Sequence, residues 1–146
     1  MKKLILLLLA AAVATTAAAQ AQRDTLTFNN DYYFSKRNVE ELVPVTGQNI
    51  VMLGNSLTER GFWAEYFQGK RVLNRGIGGD VTDGLLERMD ESIFDLEPKK
   101  VFINIGTNDI SRPEYKRERL MSRYRKILMQ IQARLPETKI YVMSYY

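Results

Sequence analysis

Two apolar runs, Ile50-Val51-Met52-Leu53 and Val101-Phe102-Ile103-Asn104-Ile105, each stop at a glycine, Gly54 and Gly106. Neither shows the regular polar–apolar alternation of a half-exposed strand. Strands with near-continuous apolar residues are buried on both faces, and they belong to parallel sheets covered by helices. Weaker runs at 71–74 and 139–144 add two more strands. Helical spacing fills the gaps. A first helix over 32–42 stops before Pro44. Asp80 is a candidate N-cap for a second, in which Leu85, Leu86, Met89 and Ile93 recur until Pro98. Ser111-Arg112-Pro113-Glu114 reads as a capping box opening the longest helix. The apolar stripe of that helix is Leu120, Met121, Tyr124, Ile127, Leu128 and Ile131. The order β-α-β-α-β-α-β predicts an α/β fold, doubly wound around a parallel sheet as a three-layer sandwich.

The N-terminus has a different character. Met1-Lys2-Lys3 is followed by an uncharged apolar run, Leu4 to Val13, and then by an Ala/Thr-rich stretch. Basic start, apolar middle and small-residue end make a cleavable secretory signal. Ala17-x-Ala19 and Ala19-x-Ala21 both fit small-x-small cleavage, so the cut falls before Gln20 or Gln22. The expected organisation is a signal peptide over 1–21 and one α/β domain over 22–146. The apolar run is too short for a stable membrane anchor, which needs about 20 residues. The expected location is therefore outside the cytoplasm, periplasmic or secreted.

Composition excludes several chemistries. The chain has no Cys, which removes disulfides, thiolate metal sites, a Cys nucleophile and a lipoprotein anchor. It has no His, which removes imidazole ligands and any side chain that ordinarily titrates near neutrality. Lys and Arg number 21 against 17 Asp and Glu. Lys2 and Lys3 lie in the signal, and the other cations are mixed with acids, so nucleic acid is not an expected partner. Arg117, Arg119, Arg123, Lys126 and Arg134 make the longest helix basic, and a solvated outer face accounts for them.

In open α/β sheets, ligands bind beyond the carboxyl ends of the strands. Three such ends are polar and glycine-rich: Gly54-Asn55-Ser56-Leu57-Thr58, Asn74-Arg75-Gly76-Ile77-Gly78-Gly79-Asp80 and Gly106-Thr107-Asn108-Asp109. A phosphate loop is absent, and Val81 stands at the third position of G-x-G-x-x-G. Acyl transfer fits better. It needs a nucleophile and donors aimed at a developing oxyanion. Ser56 supplies the hydroxyl. Ser56 N–H, Gly79 N–H and the Asn108 amide are candidate donors, each following a successive strand. Singly, each residue has a structural explanation: a helix cap, a turn and a loop cap.

These three blocks resemble those of the SGNH (GDSL-type) esterase/lipase family, nearest to its platelet-activating-factor-acetylhydrolase-like and carbohydrate-acetylesterase-like members. The resemblance runs from about Asn49 to Tyr146. It implies a flavodoxin-like SGNH hydrolase fold, with Ser56 as nucleophile and Gly79 and Asn108 completing the oxyanion hole. It implies no metal and no organic cofactor. The substrate it implies is a small-molecule or glycan acyl ester, O-acetyl carbohydrate first and lysophospholipid second. Asn55 stands where many members have Asp, so altered hydrogen bonding beside the nucleophile is expected.

The family's last block, D-x-x-H, carries the catalytic base and its partner. No D-x-x-H is present here. A fragment and a degenerate homologue both account for this. Three intact motifs beside an abrupt end favour the fragment, with the domain truncated at its C-terminus and inactive as it stands. Asp80, Asp83 and Asp109 are the carboxylates near the site, but an ordinary carboxylate accepts a serine proton poorly. The competing expectation is a non-catalytic carbohydrate- or ester-binding module.

Overall fold

The structure, a computed structural model, describes residues 30–42 and 50–144. The expected signal at 1–21 lies outside the described residues. The elements run α1 (Asn30–Leu42), β1 (Ile50–Gly54), α2 (Ser56–Glu59), α3 (Trp63–Tyr66), β2 (Val72–Gly76), α4 (Thr82–Glu87), α5 (Met89–Ser92), a 3₁₀ turn (Phe94–Leu96), β3 (Lys100–Asn104), α6 (Thr107–Ile110), α7 (Arg117–Arg134) and β4 (Lys139–Val142). The four strands form one sheet in the order β2-β1-β3-β4. Every pairing is parallel. Among the described residues, no helix is long and apolar enough to cross a membrane.

β1 is central, and all five of its residues are buried. Alternation along β1 and β3 sends Val51, Leu53, Val101 and Ile103 to one face. There they share a core with Leu85, Met89 and Ile93, and with Ile127 and Ile131 of α7. The connection from β1 to β2 runs over the other face, where the Phe67 ring lies 6.1 Å from that of Phe102. Phe102 also stacks on Tyr141 at 4.6 Å. The connections after β1 and β3 thus leave neighbouring strands for opposite faces. That is the switch point at which such sheets form a crevice.

Four expectations need correction. The helix from Asp80 toward Pro98 is interrupted at Arg88 and Ile93, whose backbones leave helical geometry. Asp80 is also not the N-cap of α4; Val81 is, with no side-chain cap bond. The capping box at Ser111 does not form. α7 begins at Arg117 behind Lys116, and Ser111 instead closes α6, donating from Oγ to Asn108 O at 3.0 Å. Ser111 is captured by the short helix before it, a competition open to any serine near a free carbonyl. Finally, β4 is not a buried strand: Tyr141 is 41% and Val142 55% exposed. Among the described residues it pairs with β3 on one side only, although Ile140 packs against the core.

Gly54 ends β1 where the chain backs onto β3. A Cβ there would fall on the Asn104 carbonyl oxygen and on Thr58 Oγ1. The carbonyl belongs to the sheet and cannot move aside. Gly54→Ala should therefore destabilise the fold by about 1–3 kcal/mol, the usual cost of overpacking. A lowered urea midpoint at unchanged m-value would show it; an unchanged midpoint would mean that β1 and β3 can separate locally.

Candidate active site

The strand register places the three glycine-rich loops at one edge. Gly54 is level with both Gly76 and Asn104. Ser56, Gly79 and Asn108 follow within a few residues, and all three are half-buried. Ser56 is the first residue of α2. The N-cap is the buried Asn55, whose Oδ1 accepts from Leu57 N–H at 3.0 Å. Asn and Asp cap a helix about equally well, so Asn55 keeps the turn without a buried charge. Its own N–H donates to Asn104 O at 3.2 Å, which ties the Ser56 turn to β3.

The second loop folds back onto Ser56. Ile77 N–H donates to Gly54 O at 3.0 Å, and Asp80 N–H to Ile77 O at 3.2 Å. Gly79, between them, has φ +79°, which a glycine adopts without steric cost. A Cβ at Gly78 would lie 3.9 Å from Ser56 Cβ, so the Gly78-Gly79 turn faces the serine. Asn108 closes the group from the third loop, donating from Nδ2 to Asp80 O at 2.8 Å. An amide nitrogen has two hydrogens, and this bond uses one of them. The structure thus links Ser56 to the Gly78-Gly79 turn, and that turn to Asn108.

Sequence reasoning missed what lies beneath. Arg88 is fully buried. Its Nε and Nη2 donate to Asp80 Oδ2 at 3.0 and 2.8 Å. Nη2 also reaches Gly54 O at 3.1 Å, and Nη1 reaches Arg75 O at 3.0 Å and Ser92 Oγ at 2.9 Å. One guanidinium therefore holds the ends of β1 and β2 and the loop that receives Asn108. The sequence signal was an arginine and a serine, Arg88 and Ser92, one turn apart within an apolar helix. Glu59 is a second brace. It ends the helix that Ser56 begins, and it accepts from Tyr32 and pairs with Lys36 at 2.8 Å. Burial works to raise its carboxyl, but the bonds from Lys36, Tyr32 and Gly78 N–H bring it below its ordinary value.

The nearby carboxylates are occupied. Asp109 accepts from Thr82 N–H at 3.0 Å and from Thr82 Oγ1 at 2.5 Å, pinning the start of α4. Asp83 pairs with Arg123. Burial pushes Asp83 up from the usual carboxylate range, against Arg123 and Arg119. Burial pushes Asp80 up to about 6, while Arg88 acts to lower it. Among the described residues, no three His, Cys, Asp or Glu side chains are grouped to hold a metal ion.

A sequence model of the GDSL-like lipase/acylhydrolase family matches residues 52–146. The chain belongs to that family. It is 28% identical over 117 residues to human platelet-activating factor acetylhydrolase IB subunit alpha2, covering 80% of this chain and 48% of that protein. The chain thus spans about half the length of such relatives. A solved Streptococcus pneumonia protein named for platelet activating factor is 24% identical, with a TM-score of 0.66 over 89% of this chain and 59% of that one. An acetylxylan esterase from Geobacillus stearothermophilus is 20% identical, with a TM-score of 0.58 over 71% and 63% of the two chains. The two structures share the parallel α/β fold of this GDSL-family chain.

Breaking a buried ion pair strands one charge, at a cost of about 3–5 kcal/mol. Arg88→Met should lose that much at neutral pH in a urea titration, and a loss within error would mean that Arg88 is a spectator. The Asp80 carboxyl carries a pH signature as well. Its value near 6 lies above the ordinary 3.8. The folded protein therefore keeps a proton that the unfolded chain has released, and this contribution is full below the ordinary value and lost as pH rises through the folded one. Stability curves of wild type and Asp80→Asn should converge toward acid and diverge between pH 4 and 6. Parallel curves would show that Arg88 keeps Asp80 ionised throughout.

Proposed function

We propose that these residues form the nucleophile and oxyanion site of an exported serine ester hydrolase. Ser56 Oγ attacks the acyl carbonyl carbon, and the carbonyl electron pair moves onto oxygen. Ser56 N–H, Gly79 N–H and the second hydrogen of Asn108 Nδ2 stabilise that oxyanion. Collapse expels the alcohol, whose oxygen takes up the proton lost by Ser56, and leaves an acyl-Ser56, which water then hydrolyses to the free acid and Ser56. The observation that carries this reading is the bond from Asn108 Nδ2 to Asp80 O, which draws the third loop against the Gly78-Gly79 turn beside Ser56. Small acyl esters are the substrates, O-acetyl groups on carbohydrate first and lysophospholipid second. Relatives named as an acetylxylan esterase and as a platelet-activating factor acetylhydrolase support these two ester classes. The leader from Met1 to Ala21 supports export.

The Ser56 proton needs an acceptor, and the chain contains no His. A second reading, a carbohydrate- or ester-binding module without catalysis, needs no such acceptor. Magnitude separates the two. Losing the base of a Ser-His-Asp site costs about 10⁶ in kcat, while an oxyanion hole with binding retains about 10³–10⁴ over water. The 146 residues should hydrolyse an activated acetyl ester near the background rate. A version extended through a D-x-x-H segment should turn over, and Ser56→Ala should abolish the turnover. No Ser56-dependent hydrolysis in a folded extended version would favour the binding module. Robust hydrolysis by the unextended chain would mean that another group accepts the proton.

Asn108→Ala in the extended version should cost about 2.7–4 kcal/mol of transition-state stabilisation, appearing mainly in kcat. An unchanged kcat in a folded variant would reduce Asn108 to a brace for the Asp80 carbonyl.

A further inference from the structure

At Asp109, the residue after Asn108, lies a cleft of about 370 Å³, within the size range of small-molecule sites. Its walls begin at Val81 and Asp109, each adjacent in sequence to a partner in the Asn108–Asp80 bond. Tyr115 and the basic residues Arg112, Lys116, Arg119 and Arg123 also line it. The cleft also holds Asp83, Asp109 and Glu114, so each charge must be followed to its partner. Asp83 is taken by Arg123, and Asp109 is held by Thr82. Glu114 lies 3.9 Å from Arg112. Arg119 reaches Asp83 only at 3.9 Å, with its side chain 54% exposed. Lys116 is exposed and precedes it by three residues, at the N-cap of α7. Four cations face three carboxylates, which leaves the cleft one positive charge in surplus with Asp83 shared by Arg123 and Arg119 and Glu114 beside Arg112. The basic face of the longest helix is therefore not uniform solvent coat: Arg119 and Arg123 turn toward the cleft, while Arg134 pairs with Asp90 at 2.5 Å elsewhere.

We propose that Arg119 and Lys116 make this cleft a subsite for an anionic group, a carboxylate or a phosphate, on the alcohol half of the ester. This rests on the ester-hydrolase reading, because a small acyl group at Ser56 leaves the larger cleft to the alcohol. Arginine and lysine bind carboxylate and phosphate through charge-assisted hydrogen bonds, and a partly enclosed site is screened less than open surface. The exposed Tyr115 ring, 39% accessible, offers an apolar face beside those charges.

Binding can be measured on the chain as it stands, without turnover. The probes are D-glucuronate and glycerol 3-phosphate, with D-glucose and glycerol as their neutral counterparts, followed by amide chemical shifts. Each anion that binds should do so about tenfold more tightly than its neutral counterpart, with shifts centred on residues 112–123. Glucuronate alone would identify a sugar carboxylate as the source, glycerol 3-phosphate alone a phosphate head group; binding of both supports the shared anion chemistry. Arg119→Ala with Lys116→Ala should remove that preference, whereas Arg125→Ala, on the same helix outside the cleft, should leave it intact. Equal binding of anions and neutrals, or an equal loss in Arg125→Ala, would overturn the subsite. Ser56→Ala should not change anion binding. A failure of Ser56-dependent hydrolysis with anion binding retained would therefore count against the esterase and not against the subsite.

Discussion

A guanidinium with no access to water is costly unless every donor finds an acceptor. Arg88 meets that condition with two backbone carbonyls, a serine and a carboxylate, drawn from three separate segments. The rest of the site depends on this arrangement. Gly54 O is the last carbonyl of β1, and Arg75 O lies one residue before the end of β2. Asp80 is held from below by its side chain and from above by Asn108 at its carbonyl. Moving any one loop would leave part of the guanidinium unpaired. The geometry is therefore fixed by a penalty for displacement as much as by attraction.

This clarifies why the fold was more legible in the sequence than the site's scaffold. β1 and β3 announce themselves because continuous apolar residues have one explanation, burial on both faces. The three loops were legible because glycine and small polar residues gather where strands end. Arg88 was not, because helical periodicity marks which side chains face inward but not that a charge among them is paired. Asp80 was mistaken for a cap for the same reason: its local position fitted one role, and a partner eight residues on gave it another. The capping box at Ser111 failed through a local contest between two helices, which spacing alone does not decide. Ser56, Gly79 and Asn108 do lie together at one sheet edge, as the doubly wound topology requires of loops that follow adjacent parallel strands.

Electrostatics divides the site into two neighbourhoods. Around Ser56 the candidate donors are peptide and amide groups, and Glu59, at the end of the same short helix, is held by Lys36 and Tyr32. A neutral donor set suits an oxyanion, because it favours charge where charge develops without binding an anion tightly beforehand. Beyond Asn108 the surroundings become ionic, with Asp83 and Arg123 paired across from Arg119. The boundary between the two is the Asn108-Asp109 pair. Asn108 serves the neutral side, and Asp109 spends its charge on the N-terminus of α4.

The contrast between β1 and β4 has a consequence for motion. β1 is flanked by strands on both sides and buried at every residue, whereas β4 has one described neighbour and exposed side chains. Local openings follow such differences in cover, and the free energy of each opening ranges from near zero to that of global unfolding. Amide protons of β4 should exchange with solvent through shallow fluctuations, while those of β1 wait for the whole domain to open. The Ser56 turn hangs on the slow strand. Ser56, the proposed nucleophile, is thus carried by the part of the molecule that should loosen last.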